Sequence, residues 1–319
     1  MGVGHYHGGD HRVRGRIDDR AGVFGVQMNP TGKGMFIWRL AVCAGGDMTL
    51  LASMAVNAGL SWVAIKAADG TDNFNQAIPS YYGPNLLPDA IAALRAVGIK
   101  IWLWQYIYGA NFLKQSIAAA EAQKAVENIN RFNPDGWIID PESQYKRSGA
   151  AAWADTYMNL LRSSCPTIPI GLCSYRFPTL HPELPWHNFL RHCDFHAPQV
   201  YWLLAHNPGD QLGRSVRELQ ALANLPVIPA GCAYYDTGYK WQPTVAEINE
   251  LDRVAHALHL PGITWWEWGE NGHGAQYIAP FWDAIKAHDW GVPPVPPQDW
   301  AHAITDWART KGYVGPAPG

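Results

Sequence analysis

IKIWLWQYIYGANFLKQSIAAAEAQKAVENINRFNPDGWIIDPES, residues 99–143, reads as strand, helix, strand. Its first eleven residues are a short apolar run rich in β-branched and aromatic side chains. Residues 116–132 carry apolar residues at helical period, and residues 135–143 return to a strand-like run ending in Asp140-Pro141-Glu142. Two strands joined through a helix must run parallel, because a tight hairpin cannot connect them. Working outward, the same alternation recurs. Strand patterns lie in GMFIWRLAVCAG, LSWVAIKAADG, IPIGLCSYRFP, CDFHAPQVYWL, PVIPAGCAYYD and GITWWEWGE; helical patterns lie in DMTLLASMAVNAG, LPDAIAALRAVG, AAAWADTYMNLLRSS, SVRELQALANL and TVAEINELDRVAHALHL. Eight parallel strands with helical crossovers are most economically closed on themselves, which predicts an α/β fold of the (β/α)8 TIM-barrel type. An open doubly wound sheet is the rival, but no GxGxxG loop follows the first strand.

Three regions follow: an extended, Gly-, His- and Arg-rich N-terminal arm (1–33), the barrel (34–290), and a Pro-rich linker with a short C-terminal helix (291–319). In the last, Trp300, Ile304, Trp307 and Ala308 fall at helical spacing. In the arm, His5, His7, Asp10 and His11 could meet a divalent metal, but nothing ties them to the barrel's chemistry. A net charge of -3 offers no basic face to nucleic acid. The N-terminal stretch is too polar for a signal peptide, and no run reaches the roughly 18 apolar residues of a membrane span, so a soluble protein without membrane insertion is expected. The five cysteines show no metal-site spacing and read as buried thiols. Sixteen Trp and fourteen Tyr suit stacking on sugar rings.

In a barrel of this type the chemistry sits where strands end. On the fourth strand, alternation places Ile138, Asp140 and Glu142 on one face, so both carboxylates should enter the barrel mouth. Two acids so close do not both ionise freely, and a carboxyl that keeps its proton is what a general acid needs. Glu142, nearer the rim, is the candidate acid and Asp140 its partner; the bland alternative pairs Asp140 with Lys66 or Arg176. Glu267, in step with Ile263 and Trp265, is a third catalytic candidate. Asp69, Gln105, Tyr106, Tyr175, Arg176, Gln199, Tyr201, Tyr235 and Trp265 are candidates for binding a carbohydrate through hydroxyl contacts and flat apolar faces. Carboxylate chemistry of this kind requires no cofactor and no metal.

GLSWVAIKAADG followed by GWIIDPES resembles the family 25 glycoside hydrolases, the barrel lysozymes of bacteria and phages. Together with IPIGLCSYRFPTLHPELPW, CDFHAPQVYWLLAHNP and WWEWGE, these runs resemble more closely the uncharacterised glycoside-hydrolase-like barrels of bacteria and their phages, over roughly residues 35–290. The resemblance implies that Glu142 matches the lysozyme acid and Asp140 its partner. The lysozymes carry an Asp near the end of the first strand, where this chain reads MFIWRLAVCAGG. The expectation is a barrel that binds or cleaves a polysaccharide such as peptidoglycan or a capsule glycan. The rival is a catalytically inactive structural or adhesive part of a phage tail or related virion, assembling through residues 1–33 and 291–319.

Overall fold

The computed structural model describes residues 29–76, 84–111, 113 and 115–291. In chain order the elements are β1 (Gly32–Ile37), α1 (Met48–Asn57), β2 (Trp62–Asp69), β3 (Asp72–Asn73), α2 (Leu87–Ala96), β4 (Lys100–Ile107), α3 (Ala118–Phe132), β5 (Gly136–Pro141) and α4 (Ala150–Ser164). They continue with β6 (Ile170–Tyr175), α5 (Trp186–Leu190), β7 (Phe195–Val200), α6 (Pro208–Leu222), β8 (Ala230–Cys232), α7 (Val245–Ala257), β9 (Gly262–Trp266) and α8 (Ala279–Ala287). Apart from the two-residue β3, which lies antiparallel on β2, every strand pairs in parallel, and β1 pairs with both β2 and β9. The sheet therefore closes into an eight-stranded (β/α)8 barrel.

Side-chain alternation divides the core in two. One set of residues fills the barrel: Phe36, Trp62, Ala64, Trp102, Trp104, Ile138, Cys173, Phe195, Ala197, Ile228 and Ala230. Their neighbours in sequence, such as Val63, Leu103, Ile139 and Leu172, pack outward against the helices. Three large rings crowd the interior, and glycines on adjacent strands admit them. A Cβ on Gly34 would stand 2.2 Å from Trp62, one on Gly136 2.0 Å from Trp102, and one on Gly171 2.2 Å from Phe195. Large side chains on some strands and none on their neighbours is how a narrow barrel is filled without a void.

The first strand and the last described helix meet through Lys33. Buried on β1, its Nζ donates to the backbone oxygens of Ile285 (2.7 Å), Lys286 (3.2 Å) and His288 (2.7 Å), capping α8. The boundary expected at residue 33 therefore cuts into the barrel, whose first strand starts at Gly32. Helix α6 starts at Pro208, before the amphipathic run at Ser215 that signalled it. Two helices carried no clear signal: α5 has five residues, too few to show a period, and α8 is short. The His5, His7, Asp10 and His11 cluster and the segment holding Trp300 to Ala308 lie outside the described residues. Among the described residues, no helix is long and apolar enough to cross a membrane. All five cysteines are free and buried.

Candidate active site at the carboxyl end of the barrel

The strands end around a cavity of about 360 Å³ lined by Phe36, Trp38, Lys66, Asp69, Trp104, Tyr106, Tyr108, Asp140, Glu142, Gln144, Cys173, Gln199, Tyr201 and Trp266. Its floor is aromatic: the Trp266 ring lies 5.9 Å from Phe36, 5.7 Å from Trp104 and 6.4 Å from Trp38, centroid to centroid. On one wall Lys66 Nζ donates to Asp69 Oδ2 at 2.6 Å, and Tyr108 donates through its hydroxyl to Asp69 Oδ1 at 2.6 Å. The Lys66 ammonium also sits 4.6 Å from the Phe74 ring centre and 4.9 Å from that of Trp104. Rings hold this cation while one carboxylate neutralises it.

Two strands further round, at the end of β5, stand Asp140 and Glu142. Ile138 points into the barrel interior, and the two acids continue that face into the cavity mouth. Gln199, from β7, reaches both: its Nε2 donates to Asp140 Oδ1 at 3.1 Å and to Glu142 Oε1 at 2.9 Å. The two bridged oxygens are thus no more than about 6 Å apart. Burial, then the charge of Glu142, pushes the Asp140 carboxyl well above the usual range, with Lys66, Cys173 and Gln199 opposing the shift. The clearly raised carboxyl is thus that of the deeper acid. Lys66 acts on Asp140 through space, while its direct ion pair is with Asp69. Arg176 makes no salt bridge with Asp140; its guanidinium lies 4.9 Å from the Phe177 ring centre. Tyr106 donates to Gln144 Oε1 at 2.7 Å, and burial beside the two acids pushes its phenol up, so it remains a neutral donor.

Of the residues singled out from sequence, Asp69, Tyr106, Asp140, Glu142, Gln199 and Tyr201 meet in this cavity. Others do not. Gln105 follows Trp104 and precedes Tyr106, both of which line the cavity, so it faces the helices; there it donates to the backbone oxygens of Gly70 and Glu121 and accepts from Tyr157. Trp265 likewise packs in the outer core, while Trp266 turns inward. The face that Ile263 and Trp265 share therefore points to the helices, and being in step with them does not bring Glu267 to the cavity. Glu267, 2 % exposed, lies beyond the end of β9 among Glu270, Arg39 and Cys43, and burial and Glu270 hold its carboxyl well above the usual range. Tyr175 stands at the rim, stacked on His181 at 3.8 Å. Tyr235 pairs with His273 at 5.7 Å, outside the cavity lining. Phe36, Trp38, Lys66, Trp104, Tyr108, Gln144, Cys173 and Trp266 also line the cavity and are absent from the sequence-based candidates for catalysis and binding. Counting alternate positions from Phe36 and Trp104 would have found Trp38 and Tyr108.

A larger groove of about 600 Å³ runs along the outer wall between residues 178–188 and α6. Its single lining carboxylate, Glu218, is taken up by Thr179 and Arg214, which leaves the groove no free acid. Among the described residues, no group of three or more His, Cys, Asp or Glu side chains is placed to hold a metal ion.

No family model matches the chain. No curated protein matches it either. Among solved structures the fold is similar to an endo-1,4-β-D-mannanase from Thermotoga petrophila, at 12 % identity and a TM-score of 0.59, over 80 % of this chain and 98 % of that one. It is also similar to the spore cortex-lytic enzyme of Bacillus megaterium, at 11 % identity and a TM-score of 0.53, over 82 % and 75 % of the two chains. A class V chitinase from Pseudomonas fluorescens shares 12 % identity at a TM-score of 0.55, over 81 % and 99 %. At these identities the likeness is one of fold.

Proposed function

We propose that this protein is a retaining glycoside hydrolase acting on a cell-wall or capsule polysaccharide, with Glu142 as general acid and Asp140 as its partner carboxylate. One observation carries the reading: two acids from a single strand end, bridged by one amide nitrogen, open into an aromatic-floored cavity. A separation of at most about 6 Å between the bridged oxygens suits the roughly 5–5.5 Å of retaining enzymes better than the roughly 6.5–9.5 Å of inverting ones. The similar folds of a mannanase, a chitinase and a spore cortex-lytic enzyme support a glycan as the substrate class.

In this reading a sugar ring seats on Trp266 and Trp104, and Asp69, Tyr106 and Tyr201 meet its hydroxyls. Glu142, nearer the opening, gives its proton to the bridging oxygen as the C1–O bond breaks. Asp140, its own proton released to solvent and its ionised form favoured by Lys66, bonds to C1 as C1–O breaks; water deprotonated by Glu142 then cleaves that ester and forms the new C1–O bond on the original face. The test is glycan release from a panel of cell-wall and capsule polysaccharides. Wild type should release reducing sugar with retained anomeric configuration. Glu142→Gln should lose roughly a thousandfold or more in kcat while melting like wild type. No release from any glycan, or an unaffected Glu142→Gln, would refute the proposal and leave a carbohydrate-binding scaffold.

A further inference from the structure

We propose that Gln199 is a positioning residue that keeps Asp140 and Glu142 as two separate proton sites, so that the proton of Glu142 goes outward to a bound sugar and not inward to Asp140. The inference deepens the hydrolase reading and rests on it for the role of Glu142. An amide nitrogen carries two hydrogens and no acceptor. With Nε2 at 3.1 Å from Asp140 Oδ1 and 2.9 Å from Glu142 Oε1, each hydrogen takes one carboxyl oxygen, and the Cys173 sulfur at 3.8 Å is a longer third contact. Both bridged oxygens must then act as acceptors, and any proton on either acid belongs on the outer oxygen, Oδ2 or Oε2. Turning the amide over would bring its carbonyl oxygen against two carboxyls, which is favourable only if both are protonated.

The same chain holds a second pair of acids with no amide between them. Glu270 raises the Glu267 carboxyl, whose Oε2 is buried without a hydrogen-bond partner. Glu142 acts on Asp140 through its charge, while Gln199 donates to Asp140 Oδ1 at 3.1 Å. In the proposed step the outer Glu142 Oε2–H bond breaks, the proton joins the leaving oxygen as C1–O breaks and C1 bonds to Oδ2 of the Asp140 carboxylate, and Oε1 keeps its hydrogen bond from Gln199. The amide thus holds the acid's orientation through a change of charge. The other titratable groups around Asp140 are Lys66 and Asp69 from β2, Tyr106 and Tyr108 from the end of β4, Cys173 and Tyr175 from β6, and Tyr201 after β7.

The experiment is Gln199→Leu in the full chain, with two readouts. The first is the titration of the Asp140 carboxyl carbon by NMR in 13C-aspartate-labelled protein, assigned with Asp140→Asn, which needs no substrate. Loss of the donor should raise the Asp140 midpoint by about one pH unit. The second is kinetics on a polysaccharide that wild type cleaves: kcat should fall roughly tenfold or more with KM within about twofold, and the acid limb of the profile should move to higher pH. Gln199→Glu, of the same shape, gives the same direction of shift if the Leu variant does not fold. An Asp140 titration that superimposes on wild type overturns the proposal, as does a rise in KM at constant kcat. If wild type cleaves no glycan, the hydrolase reading fails while the titration still decides whether Gln199 sets the proton sites.

Discussion

At the scale of single residues, parity decides which side chains can do chemistry. Asp140 and Glu142 reach the cavity because they continue the inward face of Ile138; Gln105 and Trp265 miss it because their immediate neighbours take the inward position. Glu267→Gln should therefore leave glycan hydrolysis within about twofold of wild type, measured beside Glu142→Gln in the same assay. A large loss for Glu267→Gln would place this acid in the reaction after all. Inside the barrel, Gly136 is needed for space: a methyl group there would lie 2.0 Å from Trp102 Cζ3. Gly136→Ala should cost roughly 1–3 kcal/mol or more in urea denaturation, since neither the strand nor the indole can withdraw.

At the scale of elements, the loop after β4 is held by a buried acid. Glu121, in the first turn of α3, accepts from the backbone nitrogens of Tyr108 (2.7 Å) and Gly109 (2.9 Å), and Tyr108 in turn grips Asp69 in the cavity wall. Burial raises this carboxyl from 4.5 to about 7, the two backbone donors only partly opposing it. An acid raised in the folded state contributes stability that is complete below 4.5 and lost as pH climbs through 7. Between pH 5 and 8, wild type should therefore lose on the order of 3 kcal/mol relative to Glu121→Gln, read from denaturation curves at both pH values. Parallel slopes would mean that the loop tolerates the charge. The elements themselves were largely legible, because β-branched runs alternating with helical periods are local signals. Which of two adjacent residues faces the cavity was legible only where the inward phase was anchored, as at Ile138. On β9 the run Trp265-Trp266 offers an indole to either side, and only packing against Phe36 and Trp104 chooses Trp266. Asp69 is legible as a binding candidate and Lys66 as a possible partner of Asp140, but their pairing with each other depends on the fold around β2.

At the scale of the whole molecule, closure depends on a latch between the two ends of the barrel. Lys33 caps the last helix from the first strand, with burial lowering its ammonium to about 8. Lys33→Met leaves three carbonyl oxygens without their donor and should destabilise the fold by about 1–3 kcal/mol, seen as a lower melting temperature. Removal of residues 1–33 should lower that temperature further than removal of 1–28, because only the longer cut takes the latch. The rings that fill the lower interior have one more consequence. With Trp62, Trp102 and Phe195 wedged over glycines, the cylinder is a stoppered cup, so whatever enters must back out by the way it came. A long polymer cannot be threaded through from one side to the other; it can present a free tip, or lie across the lip with one unit dipped in.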